Sequence, residues 1–236
     1  NLSVATFAAP ALAGLPEQLT FRLTVTDDDG ASDSADVTVN VQNAGNLTVS
    51  VSGHQDSVDL TAEGVSDWSH WGNTTTALNQ NTTGGGLIGD YTEIENVGTV
   101  TPVRYTNNAT GFSWTNGSPD GAATDSTTGV FFATPVLDLT DGIELRVPAG
   151  VSEQTLKVYL GLFSGRAQFK ATLSDSSAPD AIEFLDSPLN GAPTIRVVTV
   201  NFSALVNGEE LIIEYTLDQD SNGDGANITL QAATLN

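Results

Sequence analysis

Residues 155–174 read TLKVYLGLFSGRAQFKATLS. Leu156, Val158, Leu160 and Leu162 fall at every second position, so in an extended chain all four point to one face. A helix would scatter them around its axis, so this stretch predicts strand at 155–163, a turn, and strand again at 167–174. Working outward, the same period marks 129–136, 143–148, 194–202, 211–217 and 227–234, with Leu211, Ile213, Tyr215 and Leu217 on one face of the sixth strand. A 3.6-residue period is nearly absent, and no fixed repeat argues for a solenoid or propeller. The expected fold class is all-β, an antiparallel β-sandwich of jelly-roll type.

Composition narrows the function classes. The 236 residues carry 29 acidic and 7 basic side chains, a formal charge of −22. That charge repels phosphate backbones and anionic lipid, so nucleic acid is not an expected partner. No apolar run approaches the roughly 18 residues needed to span a bilayer, so membrane insertion is not expected either. The absence of Cys removes disulfides, thiol nucleophiles and the usual structural zinc sites. Only two lysines, Lys157 and Lys170, and heavy Thr, Asn, Ser and Gly use fit an extracellular or cell-surface location. The chain starts at Asn1 without Met and is read as a processed or excised piece of something longer.

The N-terminal part has its own pattern. Leu19, Phe21, Leu23 and Val25 alternate with polar residues, an Asp-rich turn ends at Gly30, and Val37, Val39 and Val41 alternate again. This is a strand pair whose turn uses Asp and Gly for their backbone angles. Together with ATFAAP at 5–10, it resembles the C-terminal half of a polycystic-kidney-disease or cadherin-like Ig-fold repeat. Such repeats run to about 80 residues or more, and here about 43 stand. The resemblance therefore implies a partial Ig-like segment, 1–43, whose open edges and inner face pack on a neighbour. Neighbouring copies or domains of the parent protein are the expected partners of that segment. After a short polar link, 47–236 is expected to form the sandwich itself.

The segments DLTAEGVSDWSHWG (59–72), GFSWTNG (111–117), TLKVYLGLFSGRAQFKATLSDSSAP (155–179) and ANITLQAATL (226–235) resemble secreted bacterial modules of the galactose-binding-like, carbohydrate-binding jelly-roll kind. The resemblance implies a polysaccharide or glycan partner. Trp68, His70, Trp71, Tyr91, Tyr105 and Trp114 supply candidate rings, because sugars stack their C–H faces on flat aromatics while polar groups bond the hydroxyls. The alternative for the tryptophans is packing, since a chain with 7% aromatics needs its large rings to fill space. Along a strand Trp68 and His70 would share one face, and Asp67 and Trp71 the other, which makes one tryptophan of the pair a core residue.

Asp218, Asp220, Asn222 and Asp224 place oxygen ligands at alternate positions before Gly225, as the first half of a Ca²⁺ loop does. The match stops at Thr229, where such a loop needs Glu, and the alternative is an acidic hairpin turn joining the last two strands. Asp27, Asp28 and Asp29 read as turn. The pattern Asn-X-Ser/Thr occurs eight times, roughly twice chance, which suits either a glycosylated surface or many Asn/Thr turns. Catalysis finds no motif: there is no G-x-S-x-G, no H-E-x-x-H and no phosphate loop, and His54 and His70 are the only imidazoles. The sequence thus predicts a non-catalytic polysaccharide-binding module of a secreted or cell-surface multi-domain protein. The alternative is a structural surface protein, an adhesin or filament subunit, assembling through its N-terminal strands.

Overall fold

The computed structural model describes residues 17–41, 44–132, 138–188, 193–221, 223 and 225–236. The chain divides into two compact units, Asn1–Ala44 and Gly45–Asn236.

In the first unit β1 (Glu17–Thr26) and β2 (Ser32–Val41) form an antiparallel hairpin with Leu19 opposite Val39, Phe21 opposite Val37 and Leu23 opposite Ala35. Opposed residues share a face, so the alternation read in the sequence becomes one apolar face. Asp27 shapes the turn: its Oδ1 accepts the backbone N–H of Asp29 (3.1 Å) and Ala31 (2.8 Å), while Gly30 takes φ +87°. Leu23 and Val37 stay 67% and 60% exposed.

The second unit is a β-sandwich. One layer is a nine-stranded sheet whose main path runs β10 (Gly117–Ser118), β6 (Leu78–Asn81), β5 (Asp67–Trp71), β19 (Asn227–Leu235), β14 (Gln154–Phe163), β17 (Thr194–Ser203) and β3 (Asn46–Gly53). Off that path, β12 (Gly129–Phe132) pairs with both β19 and β8 (Pro102–Tyr105). The other layer is five-stranded, in the order β16 (Ala181–Asp186), β15 (Gly165–Leu173), β18 (Glu209–Asp220), β13 (Gly142–Ala149) and β7 (Thr92–Ile94). Leu156, Val158, Leu160 and Leu162 of β14 meet Leu211, Ile213, Tyr215 and Leu217 of β18 in the core between the layers. Tyr215 crosses that core and donates its hydroxyl to the Gly161 carbonyl at 2.9 Å.

The nine-stranded sheet is covered on its other face as well. A three-stranded sheet, β11 (Ala123–Ser126), β9 (Gly111–Trp114) and β4 (Ser57–Asp59), and the one-turn helix α1 (Leu60–Glu63) lie over part of it. This makes a second core of Leu60, Trp68, Phe112, Trp114, Tyr159, Val197 and Ala232. β14 is therefore buried on both sides: its even-numbered apolar residues enter the main core and Tyr159 enters the second. By contrast, β15 alternates strictly between buried and half-buried residues, because its outer face meets solvent.

Polar side chains hold the covering layer down. Asn116 Oδ1 accepts from Thr61 Oγ1 (2.9 Å) and Trp68 Nε1 (3.1 Å), and its Nδ2 donates to Asn81 Oδ1 (2.8 Å). Asn73 Nδ2 donates to Asp120 Oδ2 at 2.6 Å, and Trp114 Nε1 to the Asp120 carbonyl at 2.9 Å. Glu63 ties α1 to the sheet through Lys157 Nζ (2.8 Å), Tyr159 Oη (2.5 Å) and Thr234 Oγ1 (2.9 Å). Burial pushes the Glu63 carboxyl up, but these three donors outweigh it and hold it below the usual range.

One connection and one strand differ from the sequence expectation. The acidic segment after Asp220 is not a hairpin turn, because β18 lies in the five-stranded sheet and β19 in the nine-stranded one, so the chain there changes layer. β16 was not foreseen in the sequence: AIEFLD alternates, but with Ile182 and Phe184 outward on an edge strand, so its apolar side is not its core side. The Arg166 guanidinium lies 4.8 Å from the Phe184 ring centroid.

Candidate functional site

Four of the six predicted ring residues have no accessible face. Trp68, His70 and Trp71 are 0% exposed and Trp114 is 1% exposed. The cause is that β5 is covered on both sides: alternation sends Trp71 into the main core and Trp68 with His70 into the second. His70 stacks 4.9 Å from Trp114 and 5.3 Å from Phe112, and Trp68 lies 5.5 Å from Trp114. A sugar cannot stack on rings that solvent does not reach, so the expectation for these four is corrected: both tryptophans of the pair pack, as does Trp114. Tyr91 is half-buried against Phe132 (5.0 Å) and Trp71 (6.4 Å), and belongs to the edge of the main core. Burial draws the His70 pKa down to about 3; the nearby Thr128 backbone opposes the shift, but neither ring nitrogen closes a well-formed hydrogen bond.

Tyr105 stands apart. It belongs to the part of the nine-stranded sheet's outer face that lines a cleft of about 280 Å³ with Asn107, Phe131, Phe163, Pro193, Asn227 and Thr229. The register builds the floor in rows. Tyr105 pairs with Gly129; Phe131 pairs with Thr229, which pairs with Gly161; Asn227 pairs with Phe163. Residues paired across strands share a face, so these side chains emerge together. Two glycines keep the floor open: a Cβ at Gly129 would lie 2.7 Å from Tyr105 Cε1, and one at Gly161 would lie 2.6 Å from Thr229 Oγ1. The Tyr105 and Phe131 rings sit 6.5 Å apart at 58°, both half-buried, so each keeps an accessible part.

Beneath them Gln231 is fully buried, and its Nε2 donates to Tyr105 Oη (2.5 Å) and Thr229 Oγ1 (2.7 Å). Gln231 occupies this place because β19 carries an irregularity against β14: Tyr159 faces Ala232 while Leu160 faces Leu230, so Gln231 is the extra residue. Burial raises the Tyr105 hydroxyl to about 12 despite the bonds from Thr229 and Gln231, so it is a neutral hydroxyl at physiological pH. The cleft lining contains rings, hydroxyls and amides and no charged side chain. Such a surface can stack on an apolar ring face and bond neutral hydroxyls.

Sequence reasoning found Tyr105 but missed Phe131, Phe163, Asn227, Thr229 and Gln231. A signal was there: Phe131 and Phe163 each sit next to a core residue, Phe132 and Leu162, and so fall on the face opposite the core.

Two of the four expected calcium ligands can be followed. Asp218 pairs with Arg166 at 2.5 Å on the outer face of the five-stranded sheet, and Asp220 ends β18. Asn222 and Asp224 lie outside the described residues. A cation on Asp218 would have to displace the Arg166 guanidinium. Among the described residues no three His, Cys, Asp or Glu side chains gather as a metal site requires. Four of the sequon asparagines serve the packing: Asn81 and Asn108 are buried, and Asn73 and Asn116 are bonded in the covering layer. Asn227 lines the cleft. No helix among the described residues is long and apolar enough to cross a membrane.

No family model matches the chain, and no curated protein does. Among solved structures, it is similar to the CBM22-1 xylan-binding domain of Paenibacillus barcinonensis xylanase 10C, at 13% identity and TM-score 0.38, over 71% of this chain and 90% of that one. The CBM22-1–GH10 modules of Clostridium thermocellum xylanase 10B, complexed with xylohexaose, give 12% identity and TM-score 0.37 over 62% of this chain. The match spans about a quarter of that xylanase structure, 26%. TmCBM61, in complex with β-1,4-galactotriose, gives 13% identity and TM-score 0.28 over 57% of this chain and 92% of that one. At TM-scores below 0.5 the likeness carries no residue-by-residue correspondence.

Proposed function

We propose that the second unit is a non-catalytic module that binds neutral polysaccharide in the cleft of Tyr105, Phe131 and Phe163, and that it serves a secreted or cell-surface multi-domain protein. The observation that carries this reading is the cleft's chemistry. On a chain of net charge −22, its lining is wholly uncharged and sets accessible rings beside Asn107, Asn227 and Thr229. At about 280 Å³ it is close to the lower size limit of small-molecule sites, about 300 Å³, which suits a short stretch of a sugar chain. Uronate polymers would meet a negative chain with no cation in the cleft to pair with them.

Affinity electrophoresis tests the reading. The chain is expected to be retarded in gels containing xylan, β-glucan or galactan, and not by polygalacturonate. Tyr105→Ala and Phe131→Ala are expected to abolish the retardation with small changes in melting temperature. Unretarded migration in all three neutral gels, or variants that migrate as the parent does, would refute it.

A second reading rests on the other unit. The exposed apolar face of the β1–β2 hairpin favours assembly of a surface protein through strand addition or face packing. Sedimentation of the chain with and without residues 1–44 tests it, and a monomer in both cases would refute it.

A further inference from the structure

The polar atoms of the cleft floor are organised by one residue that no ligand can touch. Gln231 is 0% exposed, and a side-chain amide has two N–H protons and one acceptor oxygen. Both protons are used: one goes to Tyr105 Oη at 2.5 Å and the other to Thr229 Oγ1 at 2.7 Å. Each hydroxyl oxygen therefore accepts from below. A hydroxyl that accepts a bond from the protein keeps its own proton free for another partner. Thr229 and Tyr105 both line the cleft, and Thr229 also bonds Tyr105, so one of the two protons closes that bond and the other is left for whatever occupies the cleft. The Gln231 Oε1 is buried without a partner among the described residues. An unpaired buried acceptor is costly, and an apolar residue would have avoided it, so the amide is kept for what its nitrogen does.

We infer that Gln231 is a positioning residue that holds the Tyr105–Thr229 hydroxyl pair with one proton directed into the cleft, so that the cleft meets a neutral saccharide at its acceptor oxygens. Ring, glycosidic and hydroxyl oxygens of a sugar supply the lone pairs that such a proton needs. The inference rests on the cleft being the saccharide site, and its tests separate the two.

The first test needs no ligand. In the ¹⁵N-labelled full chain, the Gln231 side-chain amide is assigned as the pair missing from Gln231→Leu. One of its protons is expected to show a nuclear Overhauser contact to the Tyr105 ring and the other to the Thr229 methyl, with slow exchange of both. Rapid exchange, or contacts from neither proton, would mean that the oxygen faces the hydroxyls, and would overturn the donor assignment.

The second test titrates xylohexaose, cellohexaose and β-1,4-galactotriose at pH 8 by calorimetry. Gln231→Glu replaces both donors by a carboxylate that accepts the two hydroxyl protons, and turns those protons away from the cleft. Affinity is expected to fall about tenfold with the loss of the donor directed into the cleft. An affinity equal to the parent's in a folded Gln231→Glu would overturn the inference. If the parent chain binds none of the three sugars, the cleft reading fails and the saccharide half of the inference falls with it. The amide spectrum would still decide the donor orientation.

Discussion

His70 offers the sharpest quantitative test, because the sequence marks it as a candidate ligand residue and the structure buries it among Trp114 and Phe112. The perturbation is His70→Leu, which keeps about the same volume and removes two ring nitrogens that lack partners. The sign follows from linkage. The folded pKa is depressed from 6.5 to about 3, so the stability due to a neutral His70 is complete above 6.5 and is lost as the pH falls from there toward 3. Within that window the unfolded chain takes up a proton that the folded chain refuses. Each pH unit then costs about 1.4 kcal/mol. Between pH 7 and pH 4.5 the parent should lose about 3 kcal/mol through this one group.

Burial is the main cause of the shift; the Thr128 backbone and the Asp120 charge oppose it, and Arg104 adds to it. Asp67, buried nearby, acts in the opposite sense. Its carboxyl is raised by burial, so its contribution is full below its unfolded pKa and is lost as the pH rises through the folded one. That effect is common to parent and variant and cancels in the difference. The assay is urea unfolding followed by tryptophan fluorescence at pH 7.0 and 4.5. All three tryptophans belong to the second unit, so the signal reports the sandwich alone. The expected result is a smaller acid loss in His70→Leu by about 3 kcal/mol, with saccharide retardation unchanged at pH 7. Equal acid losses in the two proteins would refute the burial argument. Loss of binding in a well-folded His70→Leu would return His70 to the ligand.

Trp114→Ala, which empties the contact with Trp68 and His70, should cost about 3–5 kcal/mol in the same urea assay. Glu63→Gln removes the carboxylate that Lys157, Tyr159 and Thr234 share, and should cost about 2 kcal/mol at pH 7 while leaving retardation intact. Gly129→Ala should do the reverse: its Cβ would press the Tyr105 ring from 2.7 Å, so calorimetry should register weakened binding before melting registers much loss.

Period-2 alternation was enough to place the strands that form the main core, since Leu156 to Leu162 and Leu211 to Leu217 do meet across it. Alternation reports one face, however, and the nine-stranded sheet has two covered faces. Nothing in DWSHW says that a second layer will lie over it, because that layer is assembled from short strands and held by Asn73, Asn81, Asn116 and Asp120 across gaps of tens of residues. The Asn/Thr richness that reads as loops or sequons is the material of those long-range bonds. The same blindness explains the site. The cleft forms where the second layer stops short, and its floor comes from β8, β12, β14 and β19, strands that neighbour one another only through register. Trp68 and Trp114 attract attention as large rings, but large rings are what a cover packs on. The rings left for a ligand are those on the non-core side of a strand that the cover does not reach, and this geometry picks out Tyr105, Phe131 and Phe163 over every tryptophan in the chain.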